Sequence, residues 1–366
     1  MDANKNAIAI NTSKLSSLIR EKTVIIMTGP GGVGKTSNSA ALAIGSALSG
    51  IDTCVVTIDP ARRLADALGI ETIGNDPVEI GTSSPGRLFA VMLDADATFD
   101  ELIVKYAKTK EQAGKILSNR VYQNLTKNLS GIQEYMAMEK LFELHNDSRF
   151  KLLIVDTPPS YNALDFLDAP RRLMSFLDNR VFRLIMTPGP AILRPLTFAT
   201  KAVLRTISRV VGSEIVDEAV AFFQDFEGME DGFRSRAEAV QSLLHEQTTA
   251  FVLVTAPRGD TISESMTFGE KLTGFGFSLS GLISNRETPD FSIPGEPIDQ
   301  NEGLSKDDLA KLQDNLSKMK VLKEFENREI QKISAALDSE RIIRIPTLNR
   351  DIANLEDLAQ MARYLI

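Results

Sequence analysis

One segment constrains the fold of this chain more than any other. Residues 29–36 read GPGGVGKT and fit the pattern G-x-x-x-x-G-K-[ST]. They lie between an apolar β-branched run, VIIM at 24–27, and an Ala-rich stretch with helical spacing. Glycines let the backbone curl so that successive N–H groups point at phosphate oxygens, and the following helix adds its positive N-terminal end. The segment therefore predicts a strand, a phosphate-binding loop and a helix, the opening unit of a P-loop nucleotide-binding α/β fold.

The side chains of this loop have predicted roles toward ATP and Mg²⁺. Lys35 is expected to bridge the β- and γ-phosphates, the Thr36 hydroxyl to coordinate Mg²⁺, and Ser37 to reach the α-phosphate. The backbone of four further residues is expected to cradle the phosphates: Gly31, Gly32, Val33 and Gly34. A glycine-rich turn with a solvated lysine is the alternative, and the strand and helix on either side make it the weaker one.

The alternation of short β-branched runs and helical spacing recurs along the chain. Seven candidate strands follow in order: VIIM (24–27), TCVVTI (53–58), RLFAVML (87–93), KLLIVD (151–156), AFVLVT (250–255), FSLSGLIS (277–284) and RIIRI (341–345). This order predicts a doubly wound, mostly parallel sheet with helices on both faces. No internal repeat is visible in the sequence, which excludes two tandem ATPase halves.

Three segments between the candidate strands are longer than a crossover requires. Two of them, about 95–146 and about 162–246, carry apolar residues at helical spacing and predict a helical subdomain inserted at one end of the sheet. A third, about 287–338, begins with Pro, Gly and Asp and predicts a mobile loop followed by an amphipathic helix. All three are expected to belong to a single ATPase domain spanning 1–366.

Two candidate strands end in aspartate, where a parallel sheet presents its binding edge. Asp59 follows CVVTI and Asp156 follows LLIV. A carboxylate in this place can hold magnesium through a water, or orient and deprotonate the attacking water of an in-line transfer. The alternative is that each aspartate only caps a following helix.

Charge and residue usage exclude several classes of protein. The net charge of −8 gives a field that repels nucleic acid, so no nucleic-acid partner is expected. The single cysteine, Cys54, cannot form an internal disulfide, and His145 and His245 are too far apart in sequence to suggest a metal cluster. Since neither a signal peptide nor an apolar run of ~20 residues is present, we expect a cytoplasmic protein.

Beyond the loop, several motifs resemble one family, the arsenical-pump and tail-anchored-protein-targeting ATPases, which are relatives of the ParA and MinD-type dimeric ATPases. The likeness spans nearly the whole chain. It rests on GGVGKT (31–36), TIDPARRLADALG (57–69), SGIQEYMAMEKL (130–141), VDTPPSYNALDFLDAP (155–170), SNR (284–286) and IPTL (345–348). The second and fourth of these motifs look like the bacterial arsenical-pump-like branch.

The resemblance implies roles for further residues. Asp59 matches the aspartate of the first switch that activates water, and Asp156 matches the aspartate behind magnesium. Asn285 and Pro346 match positions of the adenine pocket. The resemblance also implies a dimer that couples ATP hydrolysis to a change of shape.

Departures from the family pattern limit these implications. Pro30 occupies the position at which the family usually carries a second lysine that reaches across the dimer. The CxxC motif that binds a dimer-bridging zinc is absent, as are the cysteine clusters that sense arsenite. In the second switch, Ser160, Tyr161 and Asn162 replace the family's Thr-Gly-His.

Two functions therefore stay open at this point, a nucleotide-switched ATPase that handles a protein or hydrophobic client, and a weakly hydrolysing regulatory subunit paired with a paralogue. Either one predicts a homodimer or a heterodimer. Arg62 and Arg63 are candidates for the cation that replaces the missing trans lysine, and the alternative is that they pair with Asp66 on their own helix. A GTP-dependent switch is disfavoured because no N/T-K-x-D motif follows the late strands.

The expected client contact lies in a basic and apolar segment, 168–210. It contains eight Arg or Lys residues against two Asp, interleaved with Leu, Met, Phe and Ile. Such a segment can lie on a membrane surface or cover an apolar peptide. The alternative is an ordinary helix with a buried apolar side and a solvated basic face.

Overall fold

The centre of the molecule is a single eight-stranded sheet. The computed structural model describes residues 15–58, 63–71, 73–128, 132–157, 160–178, 213–291, 305–337, 339, 341–349, 351–352 and 354–366. The strands are β1 (Val24–Thr28), β2 (Thr53–Thr57), β3 (Val78–Ile80), β4 (Leu88–Met92), β5 (Leu152–Asp156), β6 (Thr249–Thr255), β7 (Leu279–Glu287) and β8 (Ile342–Pro346). Their order across the sheet is β3-β4-β2-β5-β1-β6-β7-β8. All neighbours pair in parallel except β3 and β4, which confirms the predicted doubly wound, mostly parallel α/β class.

Strand β3 is the element that the sequence pattern missed. It has three residues, of which Val78 and Glu79 are exposed and Ile80 is buried. It pairs with β4 alone, at the border of the sheet. A strand this short gives almost no alternation of apolar and polar residues to detect, whereas the seven predicted strands are rich in buried Val, Ile and Leu.

Thirteen helices occur in the part of the chain that the structure describes. They are α1 (Leu18–Glu21), α2 (Lys35–Leu48), α3 (Arg63–Leu68), α4 (Ala95–Tyr106), α5 (Lys110–Ser118), α6 (Arg120–Asn128), α7 (Ile132–His145), α8 (Ser160–Leu177), α9 (Ser213–Asp225), α10 (Glu230–His245), α11 (Gly259–Gly274), α12 (Lys306–Ala336) and α13 (Leu355–Leu365). Side-chain oxygens cap several N-termini; Asp94, Thr109 and Asn354 accept backbone N–H bonds of α4, α5 and α13. None of these helices is both long and apolar enough to cross a membrane.

Helices cover both faces of the sheet. One face carries α1, α2, α3 and α13 over a core that includes Ile25 and Met27 of β1. The other face carries α7, α8, α10, α11 and the C-terminal half of α12 over a core that includes Val24 and Ile26. Successive residues of the central strand therefore enter opposite cores, as a sheet buried on both sides requires.

A third hydrophobic cluster joins the helices that lie between β4 and β6. It draws buried side chains from α4 to α10, among them Phe99, Tyr122 and Phe233. Aromatic rings hold it together, with centroid distances of 5.1 Å for Phe99–Tyr122 and 5.2 Å for Tyr106–Phe233. The middle of the predicted insertion, 179–212, lies outside the described residues, and the division into a subdomain stays a prediction.

The third predicted excursion contains α12, a helix of 31 residues whose N-cap is Ser305. Its C-terminal half buries Ile330 and Ile333 against the sheet side of the molecule. Its N-terminal half leaves large apolar side chains exposed, including Leu312 and Met319. The segment before it, 292–304, for which a mobile loop is predicted, lies outside the described residues.

Candidate nucleotide-binding site

The phosphate loop leaves the sheet at its central strand. Strand β1 ends at Thr28, and α2 begins at Lys35. Gly29 and Gly34 have φ angles of 142° and 91°, which favour glycine. A Cβ on Gly29 would collide with the carbonyl of Val254, and one on Gly34 with the amide of Asn285. The spacing of the glycines is therefore imposed by close approach of β6 and β7 to the loop.

Lys35 lies against the loop that precedes it. Its Nζ donates to the carbonyl oxygens of Gly29 at 3.0 Å and Pro30 at 2.9 Å, and the residue is 7% exposed. A buried ammonium that donates to neutral carbonyls would gain stronger, charge-assisted bonds from a phosphate. The contact of Lys35 with the β- and γ-phosphates stays a prediction.

The carboxylate of Asp156 lies beside the start of α2. The hydroxyls of Thr36 and Thr57 donate to its Oδ2 at 2.7 Å and 3.1 Å, and Asp156 is 1% exposed. Strand order explains why Asp156 contacts both hydroxyls. Strand β5 lies between β1 and β2, and Asp156 is in register with both Met27 and Thr57. A hydroxyl that donates to a carboxylate keeps its lone pairs for a cation. Thr36 with Asp156 behind it is an oxygen donor set that suits Mg²⁺, which is usually held by few protein ligands together with the substrate's phosphates.

A cavity of about 590 Å³ opens over these residues. Its volume is in the range of small-molecule sites. It is lined by Gly32, Gly34, Lys35, Thr36, Ser37, Arg63, Asp66, Ala67, Thr157, Arg286 and Ile352. Two more predicted loop residues, Gly31 and Val33, are chain neighbours of residues that line the cavity. Gly31 is exposed. Val33 is buried, and its carbonyl oxygen accepts a bond from Asn285 of β7.

The structure describes two of the four remaining predicted residues. Asp59 and Arg62 lie outside the described residues. Asn285 is 5% exposed, and its Nδ2 donates to the carbonyl of Val33 at 2.8 Å, so it adjoins the phosphate loop. Pro346 ends β8 and lines a second cavity, of about 570 Å³. The structure thus places the two residues assigned to adenine beside different cavities.

The second cavity is bordered by a buried polar cluster that fastens α12 to β7. The carboxylate Oε2 of Glu287 meets Lys323 Nζ at 2.7 Å and Arg344 Nη1 at 3.1 Å, and Glu287 is 1% exposed. The backbone N–H and the hydroxyl of Thr288 donate to the Glu326 carboxylate at 2.8 Å and 2.7 Å. No local sequence pattern indicates this cluster, because its members are spread over residues 287–344.

Arg286 is a further residue of the phosphate cavity that the sequence reasoning missed. It lies between Asn285 and Glu287, and its Nη1 donates to the carbonyl of Gly32 at 3.3 Å. The motif SNR contains this arginine, but nothing in the motif indicated that its side chain turns toward the loop.

Comparison with known proteins gives a consistent assignment. The sequence model of a family described as anion-transporting ATPase matches residues 22–366. Among similar proteins, ATPase ARSA1 of Chlamydomonas reinhardtii is 29% identical over 289 residues, which is 73% of this chain and 35% of that protein. ATPase get3 of Pyrenophora tritici-repentis is 22% identical over 96% of this chain and 94% of its own length. ATPase ASNA1 homolog 1 of Paramecium tetraurelia is 23% identical over 96% and 95%.

The chain therefore spans about a third of the algal protein and nearly the full length of the other two. The match of the family model across residues 22–366 confirms the resemblance found from the motifs. The phosphate loop, the buried aspartate behind it and the doubly wound sheet agree with this assignment. The chain belongs to the anion-transporting ATPase family and is an ATPase.

Proposed function

We propose that this protein binds MgATP in the phosphate-loop cavity and works as a nucleotide-switched dimer that handles a protein or hydrophobic client. The observation that carries the proposal is the geometry around Asp156, whose carboxylate accepts the hydroxyls of Thr36 and Thr57 at the edge of the cavity. Lys35 lines the same cavity from the loop.

Residues of the phosphate loop and two aspartates receive roles toward the nucleotide. Lys35 leaves the loop carbonyls and bonds to the β- and γ-phosphates, while the loop N–H groups hold their remaining oxygens. Thr36 and Asp156 hold Mg²⁺, which supplies charge neutralisation at the β- and γ-oxygens when it is bound. Ser37 bonds to the α-phosphate. Asp59, which follows β2 by two residues, orients and deprotonates the attacking water.

Further residues are assigned to the adenine base and to a second subunit. The family resemblance assigns Asn285 and Pro346 to the adenine end of the nucleotide, although the structure places them beside different cavities. The missing N/T-K-x-D motif favours ATP over GTP. Because Pro30 replaces the usual trans lysine, we assign the completing cation to Arg62 or Arg63 of a second subunit, homomeric or paralogous. Arg63 opens α3 and lines the cavity of its own subunit, so the assignment to a second subunit rests on Pro30 and on the family resemblance.

Support for a protein or hydrophobic client comes from exposed apolar side chains. Val321, Leu322 and Phe325 of α12 are 65%, 44% and 41% exposed, and contiguous apolar surface of this kind marks interaction sites. The basic segment 168–210 lies largely outside the described residues, and its contact with a client or a membrane surface stays a prediction.

Arsenite is disfavoured as an activator, because Cys54 is buried and burial raises the pKa of its thiol. A cytoplasmic location also stays a prediction.

Sedimentation and turnover test the proposal together. With Mg²⁺ and a non-hydrolysable ATP analogue we expect a dimer, and with ADP a shift toward monomer. Asp59→Asn is expected to bind ATP while turnover falls by ~10²-fold. A monomer with full turnover would exclude the dimeric switch.

Pro30 favours one second candidate, the weakly hydrolysing regulatory subunit. That function predicts little turnover by the purified protein alone and a clear rise when a paralogue is added. Turnover of the isolated protein that is unchanged by a paralogue would exclude it.

A further inference from the structure

We propose that Arg286 contacts the phosphate chain of the bound nucleotide from the side opposite Mg²⁺ and thereby sets the affinity for polyphosphate nucleotides. The proposal rests on the proposed function, in which ATP occupies the phosphate-loop cavity. It adds a residue that the motif patterns leave without a role.

The backbone of Arg286 adopts a conformation that arginine rarely takes. Its φ is 58°, and no other non-glycine residue in the described ranges has a positive φ. Residues are held in such a conformation only where their surroundings impose it, and such places cluster at ligand sites. Here both chain neighbours are fixed, Asn285 by its bond to the Val33 carbonyl and Glu287 by its ion pairs.

The unusual backbone turns the side chain toward the phosphate loop. Pairing between β7 and β8 shifts register between Ser284 and Glu287, and an irregularity of this kind redirects a side chain. Asn285 and Glu287 are buried while Arg286 is exposed. As a result the guanidinium reaches the carbonyl of Gly32 at 3.3 Å and lines the cavity that Lys35 also lines.

The charge of the cavity suits an anionic chain. Among the described residues, three cationic side chains line it, Lys35, Arg63 and Arg286, against one carboxylate, Asp66. A guanidinium presents five N–H donors, and the bond to Gly32 uses one of them. The remaining donors are available for the planar, forked recognition of phosphate oxygens that arginine provides.

Strand order determines which side of the nucleotide Arg286 meets. Strands β5 and β2, which carry Asp156 and Thr57, lie on one side of β1, and β6 and β7 lie on the other. Thr36 and Asp156, which would hold Mg²⁺, therefore lie across the loop from Arg286. The guanidinium meets phosphate oxygens that the magnesium side leaves uncovered, so its loss reduces affinity more than the rate of the chemical step.

The test compares two substitutions at position 286 with a charge-matched control. Arg286→Asn removes the donors but keeps the backbone, since asparagine tolerates positive φ. Arg286→Lys keeps the charge without the fork. Arg20→Asn removes an exposed positive charge from α1, which precedes the opposite end of β1. Dissociation constants for ATP, ADP and adenosine are measured for each full-length protein with Mg²⁺, together with kcat and the melting temperature without nucleotide.

For Arg286→Asn we expect about tenfold weaker binding of ATP and ADP, unchanged binding of adenosine, kcat within about twofold and an undiminished melting temperature. Arg286→Lys should be intermediate, and Arg20→Asn should match the wild type. Wild-type affinity of Arg286→Asn for ATP and ADP, an equal loss for adenosine, or an equal loss in Arg20→Asn would each overturn the inference. If the wild-type protein itself binds no ATP, the proposed function is wrong as well. If the wild type binds ATP and Arg286→Asn binds it with the same affinity, only the role of Arg286 is wrong.

Discussion

The two edges of the parallel sheet use charge in opposite ways. At the amino edge, Asp52 accepts the backbone N–H of Arg87 at 2.8 Å and an ion pair from its guanidinium at 3.3 Å. Asp147 pairs with Arg149 at 2.7 Å in the same region, before β5. These side chains remain substantially exposed, and their carboxylates pair with arginines close by. Hydrogen bonds from Arg87 and Arg149 hold the pKa values of Asp52 and Asp147 below their ordinary range.

At the carboxyl edge three charged groups are buried, while Arg63 and Arg286 remain exposed. Lys35, Asp156 and Glu287 are 7%, 1% and 1% exposed, and Lys35 and Glu287 line the two large cavities. Burying a charge costs free energy that a hydrophobic side chain would not cost. At the amino edge, charged pairs close the ends of strands. At the carboxyl edge, buried charge fastens a long helix and, in the proposed function, holds the nucleotide. Four substitutions test this contrast.

The largest effect is expected at Lys35. Lys35→Ala removes two charge-assisted contacts to the phosphates, worth ~1.5–3 kcal/mol each, and should weaken MgATP binding at least tenfold. Titration with a fluorescent ATP analogue measures it. Lys22→Ala is the control at the amino edge, where Lys22 Nζ donates to the carbonyl of Gln247. Equal affinities for both variants would erase the contrast between the edges.

The next effect concerns the magnesium side. Asp156→Asn keeps the shape and still accepts the hydroxyls of Thr36 and Thr57, but it removes the negative charge behind the metal. We expect turnover or magnesium affinity to fall by ~10–100-fold, as for other groups that support a metal ligand. Turnover measured against Mg²⁺ concentration should require more metal than the wild type. If turnover depended on Mg²⁺ concentration as it does in the wild type, Asp156 would serve only to connect Thr36 and Thr57 by hydrogen bonds.

Glu287 tests whether buried charge at this edge also holds α12. Glu287→Gln leaves Lys323 and Arg344 without their carboxylate, and breaking a buried pair in this way typically costs about 3 kcal/mol or more. Urea unfolding measures the change, with Glu324→Gln on the exposed side of α12 as the control. If both variants lose the same small amount, the cluster contributes no more than a surface pair.

Asp52 gives the smallest expected effect. Asp52→Asn should lower the free energy of unfolding by ~0.2–1 kcal/mol at neutral pH, as for an exposed pair. Because the pKa of Asp52 is lowered in the folded protein, the pair stabilises above the unfolded pKa of ~3.9 and the gain is lost as pH falls through the folded pKa. Urea unfolding of the wild type and the variant should therefore converge at acid pH. A difference that persists there would assign the effect to something other than the charge.

Sequence patterns predicted those parts of this molecule that depend on neighbours in the chain. The glycine spacing of 29–36 and the β-branched strands each carry their physical reason within a few residues, and both were found. Strand β3 was missed because three residues contain no period. Asp156 was predicted at the end of its strand, but the two hydroxyl bonds that it accepts from Thr36 and Thr57 were not. Asp59 stays a prediction.

What escaped the sequence depends on pairing between distant segments. The ion cluster of Glu287 unites residues of β7, α12 and β8, and no local pattern relates positions 287, 323 and 344. Arg286 owes its direction to a register shift between β7 and β8, which the residue types around it do not encode. Sequence therefore located the phosphate loop, and the packing of late strands decided what surrounds it.

The two borders of the sheet limit how copies of this protein can associate. One border is β3, with three residues and the charged Glu79, and the other is β8, which ends at Pro346 and so lacks a backbone donor there. Short, charged or proline-ended border strands give an incoming strand little backbone to pair with, which protects against fibre-like stacking. Growth of the sheet from one molecule into the next is thereby disfavoured. Any assembly that responds to nucleotide must then form through side chains of loops and helices, which can separate again after each turnover.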